Sequence, residues 1–376
     1  MTLINFLTRV HFADGGLEEA LHSEMELHGK RRPLIIAENG HLTGAVAERF
    51  FASFPLRSVA ETFTDVPPQA TEAAAQAIAA LYEKGRCDLL IAFGSNRAMD
   101  LAKVARIAIA HDEPVAALSS EEGGSQRIGP RLPDLYSVPG ILGFASAISD
   151  YTRVRVTTGG QVLLSSRLLL PSVTICDPTL TLGAAEQPSA VAAAGILARG
   201  IDAYLAPGYN PPADGLALDS LSRVRTNIAR VLDSDDLKAR REMMASGLNS
   251  SLSLQKGLCV VHAISNAVAS VASGPIDPSA LGGILIPELV RFYGARTNGR
   301  TEQIKASLNL KSSCDLADGI SEFLDDLPLP RVLRDVRVDV DTLEQAAALA
   351  VRDRAIGNGP KRPSSADVLS ILSTVH

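Results

Sequence analysis

One histidine in the second half of the chain, His262, has a setting that could support proton transfer. Apart from the terminal His376, it is the only histidine after residue 183. It lies in an Ala/Val-rich helical segment, where a lone histidine is more often a core residue than a catalyst. Cys259 precedes it by one turn, but its apolar neighbours are typical of a buried, inert thiol. The residues alone therefore leave two interpretations of His262, a core side chain or a proton donor.

The first half of the chain alternates short apolar runs with helical patterns. The runs at 31–40 and 87–96 end in Asn-Gly and Gly-Ser, which is typical of buried parallel strands. Apolar residues recur at helical spacing over 70–85 and 98–111. An alternation of strands and helices predicts an α/β doubly wound, Rossmann-like domain.

Further strands are predicted in the same half over 113–119, 134–140, 152–157 and 161–170. The last two are predicted to form a hairpin joined by Gly159 and Gly160. From about residue 184 the pattern changes to helical or Ala/Leu-rich segments, one of which extends from 237 to 273. We therefore predict two domains, an α/β dinucleotide-binding-type domain over 1–183 and an all-α domain over 184–376.

Composition excludes several classes of protein. The chain has 376 residues, 46% of them hydrophobic, 21% charged and 4% aromatic, with no Trp. These values are those of a folded enzyme-sized protein and not of a disordered chain. A net charge of −6 provides no basic field for nucleic acid. We predict neither a nucleic-acid partner nor a membrane partner.

Cysteine usage and the N-terminal residues bear on location. The four cysteines, Cys87, Cys176, Cys259 and Cys314, stand far apart without CxxC pairing, which favours a reducing cytoplasm over a disulfide framework or zinc ribbon. The first 16 residues contain His11 and Asp14 before any cleavage-site pattern, and no run of 18 uncharged apolar residues occurs. We expect no secretion signal and no membrane span.

Eight motifs, in the same order along nearly the whole chain, resemble those of the iron-containing alcohol dehydrogenase family, including its maleylacetate reductase branch. The shared fold of that family is like that of dehydroquinate synthase. The motifs are ENG at 38–40, GSNRAMDLAK at 94–103, VPGILGFAS at 138–146, CDPTLTL at 176–182, RGIDAYLAPGYNPPADGLALDSL at 199–221, VVHAIS at 260–265, GGILIP at 282–287 and GNGPKRPSSADVLSIL at 357–372.

The resemblance implies an NAD(P)-dependent oxidoreductase. It implies a dinucleotide site in the N-terminal domain and a cleft between the domains, where a divalent ion polarises an alcohol or carbonyl oxygen beside the nicotinamide. It also implies a homodimer.

The resemblance assigns the first cofactor loop to Gly94, Ser95, Asn96 and Arg97, with Asp100 and Lys103 on the helix that follows. Glycines in such a loop let backbone N–H groups approach a pyrophosphate at a helix start. Only the first glycine of the family's run remains, and Arg97 could offer a guanidinium to a phosphate instead. The alternative is that this segment is only a turn that caps a helix.

The second cofactor loop and the ribose-binding acid are also assigned by resemblance. Gly143 and Ser146 match the family's second loop, whose threonines are missing here. Glu38 stands where the family has an acid that receives the adenosine ribose hydroxyls. A carboxylate there repels a 2′-phosphate and favours NAD(H) over NADP(H). An exposed turn glutamate is the alternative.

The family's metal ligands, an Asp and three His, are largely replaced. Alignment on the motifs puts Gly195 at the Asp, Arg199 at the first His, His262 at the second and Pro278 at the last. A rival alignment that uses Asp202 as the Asp still leaves an alanine, Ala206, at the first His. We expect no bound metal.

These assignments lead to a hypothesis and a rival. The hypothesis is a metal-independent NADH-dependent reductase of a small carbonyl or carboxylated compound, with His262 as proton donor and Arg199 holding an oxygen or a carboxylate. The alternative for Arg199 is a surface or interdomain ion pair with Asp202. The rival function is a family member that has lost redox chemistry and acts as a non-redox enzyme, a binding protein or a partner subunit.

Overall fold

The structure, a computed structural model, describes residues 8–376 in two compact units that divide between Leu182 and Gly183. The prediction about a secretion signal falls partly on residues 1–7, which lie outside the described residues. Within the described residues, no helix is both long and apolar enough to cross a lipid bilayer.

The first unit contains eight strands. They are β1 (Arg9–Phe12), β2 (Pro33–Ile36), β3 (Glu61–Phe63), β4 (Leu89–Gly94), β5 (Leu135–Pro139), β6 (Tyr151–Arg155), β7 (Gln161–Ser165) and β8 (Val173–Cys176). Six of them form one sheet in the order β1-β8-β5-β4-β2-β3, in which every neighbouring pair is parallel. Strands β6 and β7 form the predicted antiparallel hairpin.

Four helices accompany this sheet, namely α1 (Leu17–Leu27), α2 (Gly44–Ala52), α3 (Glu72–Lys84) and α4 (Asn96–Ala110). The α1 and α2 side chains pack in one core cluster with alternate sheet residues such as Ile35, Ile91 and Phe93. The connection from β2 leads outward to β3, whereas the connection from β4 leads the other way, to β5. Right-handed crossovers in opposite directions place α2 and α4 on opposite faces, so the sheet is doubly wound as predicted.

One predicted strand is wrong. The segment 113–119 contains a 3-10 helix, Val115–Leu118, because Pro114 starts a turn there and the Val115 N–H donates to the Glu72 carboxylate at 3.2 Å instead of to a strand. The two edge strands, β1 and β3, are not among the predicted strands. Both are short and only partly buried, so neither contains the continuous apolar run that marks β2.

The second unit is entirely helical among the described residues, and this fold class was predicted. Its helices are α5 (Glu186–Leu205), α6 (Pro211–Asp233), α7 (Leu237–Leu252), α8 (Val260–Val271), α9 (Pro278–Tyr293), α10 (Thr301–Ser307), α11 (Leu316–Asp325), α12 (Leu343–Ala350) and α13 (Ser365–Thr374).

The segment from 237 to 273, predicted as helical, contains two helices with a break between them. Helix α7 ends at Leu252, a 3-10 turn covers Ser253–Lys256, and α8 begins at Val260. Gly257 separates the two with φ +102°, a backbone conformation that interrupts a helix and that glycine adopts without steric cost.

Helices α5 and α9 pack closely through small residues. A Cβ added to Gly283 would lie 2.9 Å from the Ala194 Cβ, and one added to Gly195 would lie 2.5 Å from the Ser279 Cβ. Side chains larger than hydrogen at these glycines would therefore force the two helices apart. This contact surrounds the segment of α5 that carries Arg199.

Candidate functional site

The crevice between the ends of β2 and β4 is where a doubly wound sheet binds ligands. The helices that follow these two neighbouring strands leave on opposite faces, so the loops diverge and open a gap at the carboxyl edge. Glu38 follows β2. Gly94 is the last residue of β4, and Ser95 is the N-cap of α4. The structure thus brings three of the predicted cofactor residues together.

Ser95 joins the two loops and starts helix α4. Its hydroxyl donates to Glu38 Oε1 and accepts the Arg97 backbone N–H at 3.1 Å, which caps the helix. Glu38 Oε2 is buried and has no hydrogen-bond partner among the described residues. A buried carboxylate oxygen without a donor is a site that a ligand hydroxyl could satisfy. Arg97 itself is exposed.

Gly94 and Gly140 lie side by side in this crevice. The Gly140 N–H donates to the Gly94 carbonyl at 2.9 Å, and Gly94 has φ +106°. A Cβ on Gly94 would lie within 2.8 Å of three atoms of the His41 ring, and one on Gly140 would lie 3.6 Å from its Nδ1. His41 is therefore a further member of this site. No spacing or motif in the sequence distinguished it, and only its place after β2 could have drawn attention to it.

Asn96 connects the two predicted cofactor loops. Its amide nitrogen donates to the Gly143 carbonyl at 2.7 Å, and its amide oxygen accepts the Ser146 N–H at 3.1 Å. The three residues are brought together, but through bonds that fix the second loop to the start of α4.

Lys103 and Asp100 lie deeper on α4. The Lys103 ammonium is fully buried and donates to Ser149 Oγ at 2.5 Å and to the Tyr151 carbonyl at 3.0 Å. Burial lowers its pKa to about 8, while loss of hydration raises the pKa of Asp100 against the attraction of Lys103. In this arrangement the lysine secures the segment after the second loop and does not extend into the crevice.

The remaining predicted residues, Arg199 and His262, belong to the helical unit. Arg199 is buried on α5 with 7% of its surface exposed, and His262 is half-buried in the first turn of α8. Asp202, three residues after Arg199, is also fully buried. Both residues are buried, so an ion pair between Arg199 and Asp202 would not lie at the surface of this unit.

Asp202 fixes the start of the helix that carries His262. One carboxylate oxygen accepts the Val261 N–H at 2.7 Å and the other accepts the Tyr293 hydroxyl at 2.9 Å. Cys259 at the N-cap makes no side-chain bond to the helix, so Asp202 supplies the cap from α5. Burial raises the pKa of Asp202 to about 7 and the pKa of the Cys259 thiol well above its usual range.

The residues at the family's metal-ligand positions do not fit a metal. Gly195 has no side chain and no space for one beside Ser279, Arg199 carries a positive charge, and Pro278 forms the first turn of α9. Only His262 offers a donor atom that a divalent ion prefers. Within residues 8–376, no cluster of three or more His, Cys, Asp or Glu side chains has metal-binding geometry.

A doubly wound parallel sheet followed by a bundle of helices, with a Gly-Ser helix start and an acid at the switch point, is an architecture that can bind a dinucleotide. The family model for iron-containing alcohol dehydrogenase matches residues 8–178, and that for the C-terminal part of the Fe-containing alcohol dehydrogenase family matches residues 190–376. The chain therefore belongs to the iron-containing alcohol dehydrogenase family, as its motifs indicated, and is an oxidoreductase of the alcohol dehydrogenase type.

Individual relatives agree with this assignment. The chain is 32% identical to a 4-hydroxybutyrate dehydrogenase from Cupriavidus necator, over 99% of both chains. Its fold matches a crystal structure of 1,3-propanediol oxidoreductase with a TM-score of 0.91 at 18% identity, over 100% of both chains. It matches sulfoacetaldehyde reductase from Bifidobacterium kashiwanohense, determined in complex with NAD+, with a TM-score of 0.89 at 18% identity, over 100% of this chain and 98% of that one.

Proposed function

We propose that this chain is an NAD(H)-dependent reductase or dehydrogenase of a small carboxylated alcohol or carbonyl compound and that it works without a bound metal. The main support for dinucleotide binding is the crevice between the ends of β2 and β4, which we call the switch-point crevice. There, one buried oxygen of Glu38 has no hydrogen-bond donor among the described residues, and the Gly94 and Gly140 backbone lies in the same crevice. A ribose diol is a donor of the required kind.

The nicotinamide cofactor, when bound, supplies or accepts the hydride. Glu38 would receive the ribose hydroxyls, and its charge disfavours the 2′-phosphate of NADP(H). The start of α4, capped by Ser95, would face the diphosphate with the backbone N–H groups of its first turn. The NAD+ complex of the sulfoacetaldehyde reductase supports a nicotinamide cofactor in this fold.

The helical unit would supply the polar groups that act on the substrate. His262 would hold the proton that a carbonyl oxygen takes up, and Arg199 would bind a carboxylate or steady the oxygen on which charge develops. A guanidinium holds a carboxylate through two parallel hydrogen bonds. The name of the 4-hydroxybutyrate dehydrogenase supports a short substrate with a carboxylate at one end and an alcohol at the other.

We propose metal independence because most side chains at the family's metal-ligand positions cannot donate electrons to a metal ion. An arginine and a proline stand at two ligand positions, and a glycine packed on Ser279 stands at a third. We also propose that the chain works in a reducing compartment, since the four cysteines are free. The resemblance to the family is the basis on which we propose a homodimer.

The test is a titration of the purified chain with NADH and NADPH, followed by nicotinamide fluorescence, with metal content measured on the same sample. Micromolar NADH binding without stoichiometric iron or zinc is expected. NAD-dependent oxidation of 4-hydroxybutyrate is then assayed with and without a chelator, and unchanged turnover is expected. Loss of turnover that zinc or iron restores would contradict metal independence.

The second candidate function is a family member without redox chemistry. The simultaneous replacement of three metal-ligand positions favours it. If neither nucleotide binds at millimolar concentration, the redox proposal fails and this candidate replaces it.

A further inference from the structure

The imidazole of His41 covers the two glycines of the switch-point crevice. His41 ends a short 3-10 turn, Asn39–His41, directly after Glu38. Its ring leaves no space for a Cβ on Gly94, and a Cβ added to Gly140 would lie in ordinary contact with it, 3.6 Å from its Nδ1. The ring therefore occupies the space through which a diphosphate would approach the backbone at both glycines.

The same ring lies beside the oxygen of Glu38 that lacks a donor. His41 Nε2 is 3.9 Å from Glu38 Oε2, a distance beyond hydrogen bonding. That oxygen is nevertheless buried. One side chain thus lies at both points where the adenosine half of a dinucleotide would bind, the ribose acceptor and the glycine pair.

Little holds the ring in this position. About a third of the His41 side chain is exposed, at 31%, and its ring meets Phe93 edge-on at a centroid distance of 6.1 Å. The imidazole nitrogens make no hydrogen bond among the described residues, because the contact with Glu38 is too long at 3.9 Å. Such a side chain can change rotamer at low cost.

We propose that His41 determines how tightly the dinucleotide binds, by covering the adenosine end of the site until its side chain rotates away. This inference rests on the proposed dinucleotide function. A site that is open only part of the time binds with an affinity reduced by the open fraction. Removing the ring therefore tightens binding, whereas a ring of similar size without the imidazole nitrogens preserves the cover.

The test compares His41→Ala with His41→Phe and with His22→Ala, which removes an exposed histidine from α1 of the same unit. Dissociation constants are measured for NADH and for ADP-ribose, which has the adenosine half and the diphosphate but no nicotinamide. His41→Ala is expected to bind both ligands about threefold to tenfold more tightly, with a faster association rate. His41→Phe and His22→Ala are expected to bind like the wild type.

The outcomes separate this inference from the proposed function. If the wild type binds NADH and His41→Ala binds it equally or more weakly, His41 is not a cover and this inference alone fails. If only His41→Ala binds, the cover is supported, whereas the proposed dinucleotide function of the wild type is contradicted. If neither protein binds NADH or ADP-ribose, the dinucleotide function fails and the inference fails with it. Circular dichroism confirms that each variant is folded, and His41→Ser replaces His41→Ala if the latter is not.

Discussion

At the scale of single residues, the two oxygens of Glu38 have different surroundings. One is bonded by Ser95, whereas the other is buried and lacks a donor among the described residues. We expect Glu38→Gln to weaken NADH binding about tenfold, equivalent to 1.4 kcal/mol, and to weaken NADPH binding less because the repulsion of the 2′-phosphate is removed. Fluorescence titration with both nucleotides measures the ratio. Glu48→Gln on the exposed side of α2 is the matched control, and an unchanged ratio in Glu38→Gln would contradict the role of Glu38.

Asp202 makes stability depend on pH. Burial raises the pKa of its carboxyl group to about 7, whereas an unfolded aspartate has a pKa of about 3.9. The folded chain therefore binds this proton more tightly, and the resulting stabilisation is complete below about pH 4 and is lost as pH rises through about 7.

We predict that Asp202→Asn removes this dependence. Between about pH 5 and about pH 8, the free energy of unfolding of the wild type should fall relative to that of Asp202→Asn, because asparagine does not titrate. Urea unfolding at several pH values measures the difference, and Glu322→Gln on α11 serves as an exposed control. Parallel pH profiles for the wild type and Asp202→Asn would show that the carboxyl titrates normally.

The sequence could identify Glu38, Ser95 and Asn96 because they occupy motif positions. It could not identify His41, whose importance comes from its distance to two glycines, one that ends β4 and one that follows β5. Nor could it show that the Asn96 amide bonds Gly143 and Ser146, since such bonds depend on how two loops approach each other. A motif shows which residue types stand at given positions, whereas contacts between residues far apart in the sequence can be identified only once the fold is known.

At the scale of elements, the segments with a distinct apolar pattern were predicted, and the two partly buried edge strands were not. Strands β2 and β4 are fully buried and helices α3 and α4 span 13 and 15 residues, so their patterns are distinct. The break between α7 and α8 was missed because its residues, SLQKGLC, remain compatible with a helix until Gly257 adopts a positive φ. Local propensity did not reveal that α8 takes its cap from another helix.

Two Gly→Ala substitutions, one inside the α5–α9 contact and one on an exposed helix surface, should change the free energy of unfolding in opposite directions. Gly283→Ala should destabilise the chain by about 1–3 kcal/mol, because the new methyl group would lie 2.9 Å from Ala194. Gly215→Ala on the exposed side of α6 meets no atom within 4 Å and should stabilise by about 0.5–1 kcal/mol. Chemical denaturation of both variants measures the two changes. Equal effects would mean that helix propensity, and not packing, dominates at Gly283.

At the scale of the whole molecule, dinucleotide binding should be visible as stability. A ligand that binds only the folded chain stabilises it by about 2.7 kcal/mol at 100 times its dissociation constant. We expect NADH at that concentration to raise the melting temperature by roughly 5 °C. Differential scanning calorimetry measures the shift, with Glu38→Lys as a variant that should show little of it. A shift of equal size in both proteins would place the nucleotide elsewhere.

The close approach of Gly195 to Ser279 has a consequence for protein engineering. A Cβ at position 195 would lie 2.5 Å from the Ser279 Cβ, so an aspartate there would collide with α9. Gly195→Asp would therefore lower the free energy of unfolding before its carboxylate could contribute any affinity for a metal ion. A smaller residue at position 279 would have to be introduced first, so the order in which the two substitutions are made decides whether the intermediate protein folds.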